Sequence, residues 1–295
     1  MQSHPYFVMS LVAGLLAAGP MTASGMKRQP ATREASRAAK TIRFDLYEGH
    51  FMVVQGSIGP MKHLNFFVDT GTSVAVVDSR IAKKLKLGGG EATKIVIVGG
   101  RAKGEEAVLP SIEIGPVRRM NLPIVVTDLS FFDRTFPVRI DGIVGLDVLG
   151  QIPFVIDYAA RDLSFGADPE LRDSVPLRLE QGLAVIDAEI DHAPVRLLFD
   201  TGASALVLFN KADGKGSQRK DDAMLSTEDI GNFETRKVWL RTFRMGPEEF
   251  REEPALMTAN PKPSQIDFDG LMSPAALGIS RVQVDVKAGT LAFSR

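Results

Sequence analysis

The chain has 295 residues, 44% of them hydrophobic and 24% charged, which is enough for one large or two ordinary folded units. Its 35 basic and 36 acidic residues leave a net charge of −1, so no overall field draws it to nucleic acid or an anionic membrane. Cysteine is absent and the four histidines are scattered, which excludes disulfides, a cysteine nucleophile and thiolate zinc sites, and no metal or cofactor is expected.

In chain order, Phe7 to Ala18 is an uncharged apolar run followed by small residues. That length suits the core of a signal peptide over residues 1–25 and is too short for an ordinary membrane span. The protein is therefore expected to be exported, periplasmic or secreted, with no stable membrane span after processing. Lys27 to Lys40 is basic and poor in large apolar groups, and reads as a linker over 26–40. From Thr41 onward, short β-branched and aromatic runs alternate with turn signals. Strands are predicted at Phe51 to Ile58, Leu64 to Val68, Val74 to Val77, Ile95 to Val98 and Ile124 to Thr127, with breaks such as Gly59-Pro60 and Gly115-Pro116. One short helix is predicted, with Ser79 as its N-cap and Gly88 as its stop. Its counterpart later in the chain, Lys211 to Asp222, is polar and reads as an exposed loop.

The sequence contains itself twice. Asp141 to Phe165 aligns without a gap on Asp269 to Phe293 at an offset of 128 residues. Upstream, Leu64 to Ser73 (LNFFVDTGTS) matches Val195 to Ser204 (VRLLFDTGAS) at an offset of 131. Two lobes on one plan follow, predicted at 41–170 and 171–295.

Each repeat carries Asp-Thr-Gly between two apolar strands. A carboxylate in such a place is costly unless donors or a proton satisfy it. Two carboxylates held close together cannot both ionise, so they share one proton. The ionised member then takes a proton from water while the neutral member donates to a carbonyl oxygen, the chemistry of amide hydrolysis without a metal. Glycine after the threonine lets backbone N–H groups approach the carboxylate.

On these motifs the sequence resembles the aspartic proteases of the retroviral-protease and pepsin kind. The resemblance implies an all-β fold of two similar β-barrel lobes related by pseudo-two-fold symmetry, with Asp69 and Asp200 as the catalytic pair. Thr70, Gly71, Thr72, Thr201 and Gly202 would form the supporting loops, with Thr70 and Thr201 bonded across the lobe interface. Ile143-Val144-Gly145 is similar to the segment that packs beneath the catalytic loop, whereas its counterpart Leu271-Met272-Ser273 carries serine in place of glycine. The resemblance also implies that a hydroxyl at Thr72, absent at Ala203, donates to the outer oxygen of Asp69. Asp69 is then expected to be the more readily ionised partner and Asp200 the proton carrier. Tyr6, Tyr47 and Tyr158 all lie outside the candidate flaps, so the pattern is closer to two fused retroviral-type subunits. The candidate flap of the first lobe lies at Val98 to Gly104, including Gly99 and Gly100; that of the second lies near Thr227 to Asn232. The function implied is an endopeptidase acting on polypeptides as a monomer. An inactive peptide-binding module on the same double lobe is the alternative, and a third reading makes the triplets structural turns.

Overall fold

In a computed structural model the chain is described at residues 7–9, 40–97, 100–171, 174–209, 224–227, 233–258 and 267–295. The first lobe begins with β2 (Thr41–Tyr47), β3 (Phe51–Ile58), β4 (Met61–Val68) and β5 (Val76–Asp78). The helix α1 (Ser79–Lys84) follows, then β6 (Ala92–Ile97), β7 (Gly100–Ile114) and β8 (Val117–Thr127). The lobe closes with β9 (Gly142–Val144), the short helix α2 (Leu146–Leu149), β10 (Phe154–Asp157) and β11 (Asp162–Phe165). The N-cap of α1 is Asp78 and not the expected Ser79: the Asp78 carboxylate accepts from the Arg80 N–H, as a cap side chain must.

The second lobe repeats this order. It comprises β12 (Ser174–Glu180), β13 (Leu183–Ile190), β14 (Ala193–Phe199), β15 (Leu206–Phe209), β16 (Met224–Thr227), β17 (Phe233–Met245), β18 (Glu248–Thr258), β19 (Gly270–Met272), β20 (Arg281–Asp285) and β21 (Thr290–Ser294). The predicted loop at Lys211 to Asp222 lies outside the described residues. So does most of the predicted leader and linker; within it, β1 (Phe7–Met9) pairs in parallel with Ile95–Ile97 of β6.

The pairing shows how far the repeat extends. β4 runs parallel to β9 with Val68 opposite Val144, and β14 runs parallel to β19 with Phe199 opposite Met272. β5 is parallel to β8 with Val76 opposite Val125, and β15 to β18 with Val207 opposite Leu256. The offset of 131 thus persists to β8 and β18 and becomes 128 at β9 and β19. The three-residue difference falls in the connection between them, which in the first lobe contains a 3-10 turn at Ser130–Arg134.

The identical pair Asp141 and Asp269 earns its repetition by the same device. Each carboxylate accepts from a backbone N–H in the middle of the strand leading to Asp-Thr-Gly, Asn65 and Arg196 respectively, at 2.9 Å. Asp141 is further tied to the Arg80 guanidinium at 2.6 Å.

The lobes join through a shared antiparallel ribbon in the order β2, β11, β10, β20, β21, β12. At its centre Phe154 faces Val284 and Ile156 faces Val282, all buried. Their apolar faces merge with β4, β14 and α2 into one core that spans both lobes. Arg281 forks onto Asp157 and onto Asp168 of the interlobe connection, fastening that segment to the ribbon. No helix among the described residues is long and apolar enough to cross a membrane.

Candidate active site

The strands β4 and β14 end in Val68 and Phe199, both buried, and hand the chain directly to Asp69 and Asp200. Both acids are 0% exposed. Each is fixed to the strand beneath it: Asp69 N–H donates to the Val144 carbonyl and Asp200 N–H to the Met272 carbonyl, both at 3.0 Å. Within each loop the glycine N–H reaches back to the acid, Gly71 to Asp69 Oδ1 and Gly202 to Asp200 Oδ1, both at 2.8 Å.

The threonines cross between lobes. Thr70 Oγ1 donates to the Phe199 carbonyl at 3.0 Å and accepts from the Thr201 N–H at 3.0 Å. Thr201 Oγ1 donates to the Val68 carbonyl at 3.0 Å and accepts from the Thr70 N–H at 3.1 Å. This reciprocal exchange satisfies four buried groups and sets the two aspartates face to face. Contact is close: a Cβ on Gly202 would lie 2.7 Å from Asp69 Cγ and Oδ1, so only glycine admits the partner acid.

The electrostatics follow from that proximity. Burial is the main cause that raises Asp69 well above the ordinary carboxylate range, and the charge of Asp200 adds to it; the Gly71 N–H opposes both. Asp69 Oδ2 has no N–H or hydroxyl donor within reach. The Asp69 carboxyl as a whole lies against the Asp200 side chain, and two carboxyls buried side by side are satisfied only if one of them carries a proton.

One expectation is corrected. The Thr72 hydroxyl donates to the Val74 carbonyl at 2.9 Å and is not spent on the outer oxygen of Asp69. The nearby backbone carbonyl competes with the carboxylate for the single hydroxyl proton and wins. The basis for making Asp69 the more readily ionised partner is therefore gone.

Beneath the loops the two lobes differ. A Cβ on Gly145 would sit 2.7 Å from the Thr72 carbonyl oxygen, 2.8 Å from Thr72 Cγ2 and 3.0 Å from the Asp69 carbonyl oxygen. The first lobe thus leaves no room for a side chain there. In the second lobe Ser273 occupies the matching position of the repeat at 1% exposure.

Of the candidate flap residues, Gly100 opens β7 opposite Ile97 of β6, so the segment belongs to a hairpin; Gly99 lies outside the described residues. In the second lobe Thr227 pairs with Phe233 across the β16–β17 hairpin, and the rest of that candidate flap lies outside the described residues.

Two residues near the site were not singled out from sequence. Asp147, in α2, accepts from the Ala75 N–H at 2.7 Å and from the Val148 N–H at 2.9 Å, and burial raises its carboxyl. Its mismatch with Ala275 in the aligned repeat was the available signal. Tyr158 follows β10; its hydroxyl is buried without a partner, and burial together with the charge of Asp200 pushes the phenol up. Nothing local to Tyr158 in sequence announces that proximity. Among the described residues no cluster of three or more histidine, aspartate or glutamate side chains is arranged to hold a metal ion.

No curated protein matches the chain. A family model described as aspartyl protease matches it twice, over residues 54–148 and 186–280, one match centred on each lobe and together more than half of its length. With the two repeated Asp-Thr-Gly loops, each seated on its own parallel strand pair, this chain belongs to the aspartyl protease family.

Proposed function

We propose that the protein is an aspartic endopeptidase that hydrolyses peptide bonds of extended polypeptides with water activated by Asp69 and Asp200. The observation that carries the reading is the Asp69 carboxylate buried against Gly202 and facing the Asp200 side chain. In the reaction the ionised carboxylate takes a proton from water, whose oxygen bonds to the peptide carbonyl carbon. The neutral acid gives its proton to the carbonyl oxygen. Collapse of the tetrahedral species breaks the C–N bond; the amine nitrogen leaves with a proton from one carboxyl, and a hydroxyl on the tetrahedral carbon returns its proton to the other as the carboxylic acid product forms. No redox partner or metal enters that balance.

With both halves in one chain, the working unit is a monomer, and the apolar leader directs it out of the cytoplasm. Size-exclusion mass and compartment fractionation test these two points. A peptide-binding module without turnover is the second reading, favoured by Ser273 at the place where the first lobe admits only glycine.

Cleavage of an unfolded protein substrate, followed from about pH 3 to about pH 8, separates the readings. The endopeptidase loses turnover in both Asp69→Asn and Asp200→Asn while remaining folded. Retained turnover in either variant would sink the dyad. A folded wild type that binds peptide but never cleaves it would establish the binding module.

A further inference from the structure

Asp69 and Asp200 are both 0% exposed, so a segment packed over them must move before water and a polypeptide reach them. The β6–β7 hairpin is seated at that place. Ile95 of β6 is buried in one apolar cluster with Phe67 and Val74, which flank the first-lobe Asp-Thr-Gly loop on either side. On the face of the hairpin away from Ile95, Lys94 lies directly opposite Lys103, both exposed. Like charges facing each other across a ladder repel, so the hairpin's own pairing is weakened there.

What holds the hairpin is at its root. The β6–β7 ladder ends where Ala92 faces Glu105, and just before β6 the chain runs through Gly88, Gly89 and Gly90. Gly89 has φ +85°, and a Cβ on Gly90 would lie 1.7 Å from the Glu106 carbonyl oxygen, so this approach to β7 needs glycine. Glu105 Oε1 accepts from the Gly89 N–H and, at 3.0 Å, from the Gly90 N–H. Two successive N–H groups converging on one anionic oxygen make a charge-assisted nest. Beside it the Glu106 N–H donates to the Glu91 carbonyl at 2.9 Å. A groove of about 510 Å³, lined by Lys86, Leu87, Val108 and Pro123 among others, runs along the glycines and leaves them room to swing. The second lobe lacks the device. Glu105 opposite Val126 becomes Arg236 opposite Met257, and an arginine cannot accept from N–H groups. The residues 131 positions after the glycines are Arg219, Lys220 and Asp221.

We propose that Gly88, Gly89 and Gly90 are the hinge of the β6–β7 hairpin and that the Glu105 carboxylate is its latch, holding the hairpin seated beside the first-lobe Asp-Thr-Gly loop. Glu105 is then a positioning residue: it touches neither acid and acts through the hairpin that Ile95 anchors. The kinetic consequence rests on the endopeptidase reading; the latch itself is a property of the folded protein. Opening is confined to the first lobe, where the carboxylate and the glycines occur together.

Hydrogen exchange on the full chain, read by mass spectrometry, compares the wild type with Glu105→Ala and Glu105→Gln. Glu106→Ala is the contrast, a neighbouring carboxylate whose side chain lies outside the nest. Glu105→Ala should speed exchange roughly tenfold or more, both at the glycines and along β6. Glu105→Gln keeps a carbonyl oxygen as acceptor without the charge and should fall between, while Glu106→Ala stays at the wild-type rate. Faster exchange confined to the glycines, with β6 unchanged, would make Glu105 a staple of its own loop and overturn the proposal. So would an unchanged rate in Glu105→Ala, or an equal gain in Glu106→Ala. With a quenched peptide substrate, Glu105→Ala should raise KM by roughly three- to tenfold at a kcat within about twofold, because the latch favours closure over bound peptide. A lowered kcat at unchanged KM overturns the proposal. A wild type without turnover whose variants follow the expected exchange order refutes the endopeptidase reading and leaves the latch standing.

Discussion

Replacing Thr201 by valine keeps the shape of the side chain and removes its hydroxyl, and so tests the exchange between lobes directly. The hydroxyl both donates to the Val68 carbonyl and accepts from the Thr70 N–H. Both orphaned groups would belong to the other lobe, at residues that are 0% exposed. A buried polar group left unpaired costs about 1–3 kcal/mol, so the two together predict a loss of about 2–4 kcal/mol, allowing the carbonyl some relief through its second lone pair. That is a large fraction of the roughly 5–15 kcal/mol that holds a typical domain folded. Urea unfolding at unchanged slope measures it, with Thr201→Ser as the control that keeps both bonds. Thr70→Val strands the Thr201 N–H and the Phe199 carbonyl in the same way, and should cost a similar amount. If Thr201→Val and Thr201→Ser unfold within about 0.5 kcal/mol of each other, the exchange is not what holds the loops together.

The remaining predictions concern single groups. Gly145→Ala places a methyl 2.7 Å from the Thr72 carbonyl oxygen, and is expected to lose about 1–3 kcal/mol and most turnover, whereas Ser273→Gly stays folded. Thermal unfolding of both variants checks the contrast. Asp147→Ala leaves the Ala75 N–H unpaired beneath the first-lobe loop; a loss of about 1–3 kcal/mol, absent on mutating Ala275, is read by urea unfolding. The pH dependence follows from Asp69. Its folded-state value lies above its unfolded one, so between the two the native state binds more protons. Stability from this group is therefore fully present in acid and lost as pH rises through the folded value, and Asp69→Asn should flatten that decline. A decline equally steep in the variant would falsify the assignment.

What was legible in the sequence was whatever is local and repeated. The strand leading to each Asp-Thr-Gly is a contiguous apolar run, so β3, β4 and β14 could be read from pattern, and their recurrence gave two lobes and the pair of acids. The repeated Asp141 and Asp269 were visible too, although only the structure ties each to the neighbouring strand at Asn65 or Arg196. The resemblance also anticipated that the two threonines would meet, because symmetry places identical loops opposite each other. Tertiary structure alone decided how each hydroxyl is used. Thr72 turns to Val74, a choice between two acceptors that residue type cannot settle. Gly202 lies against Asp69, Ser273 is buried where the first lobe admits only glycine, and Tyr158 comes within the field of Asp200. The last of these joins residues in different lobes, and the others depend on close approach in three dimensions. Period and spacing carry information about a strand and its own two faces. Which atoms surround a buried carboxyl is set by segments that arrive from elsewhere in the chain.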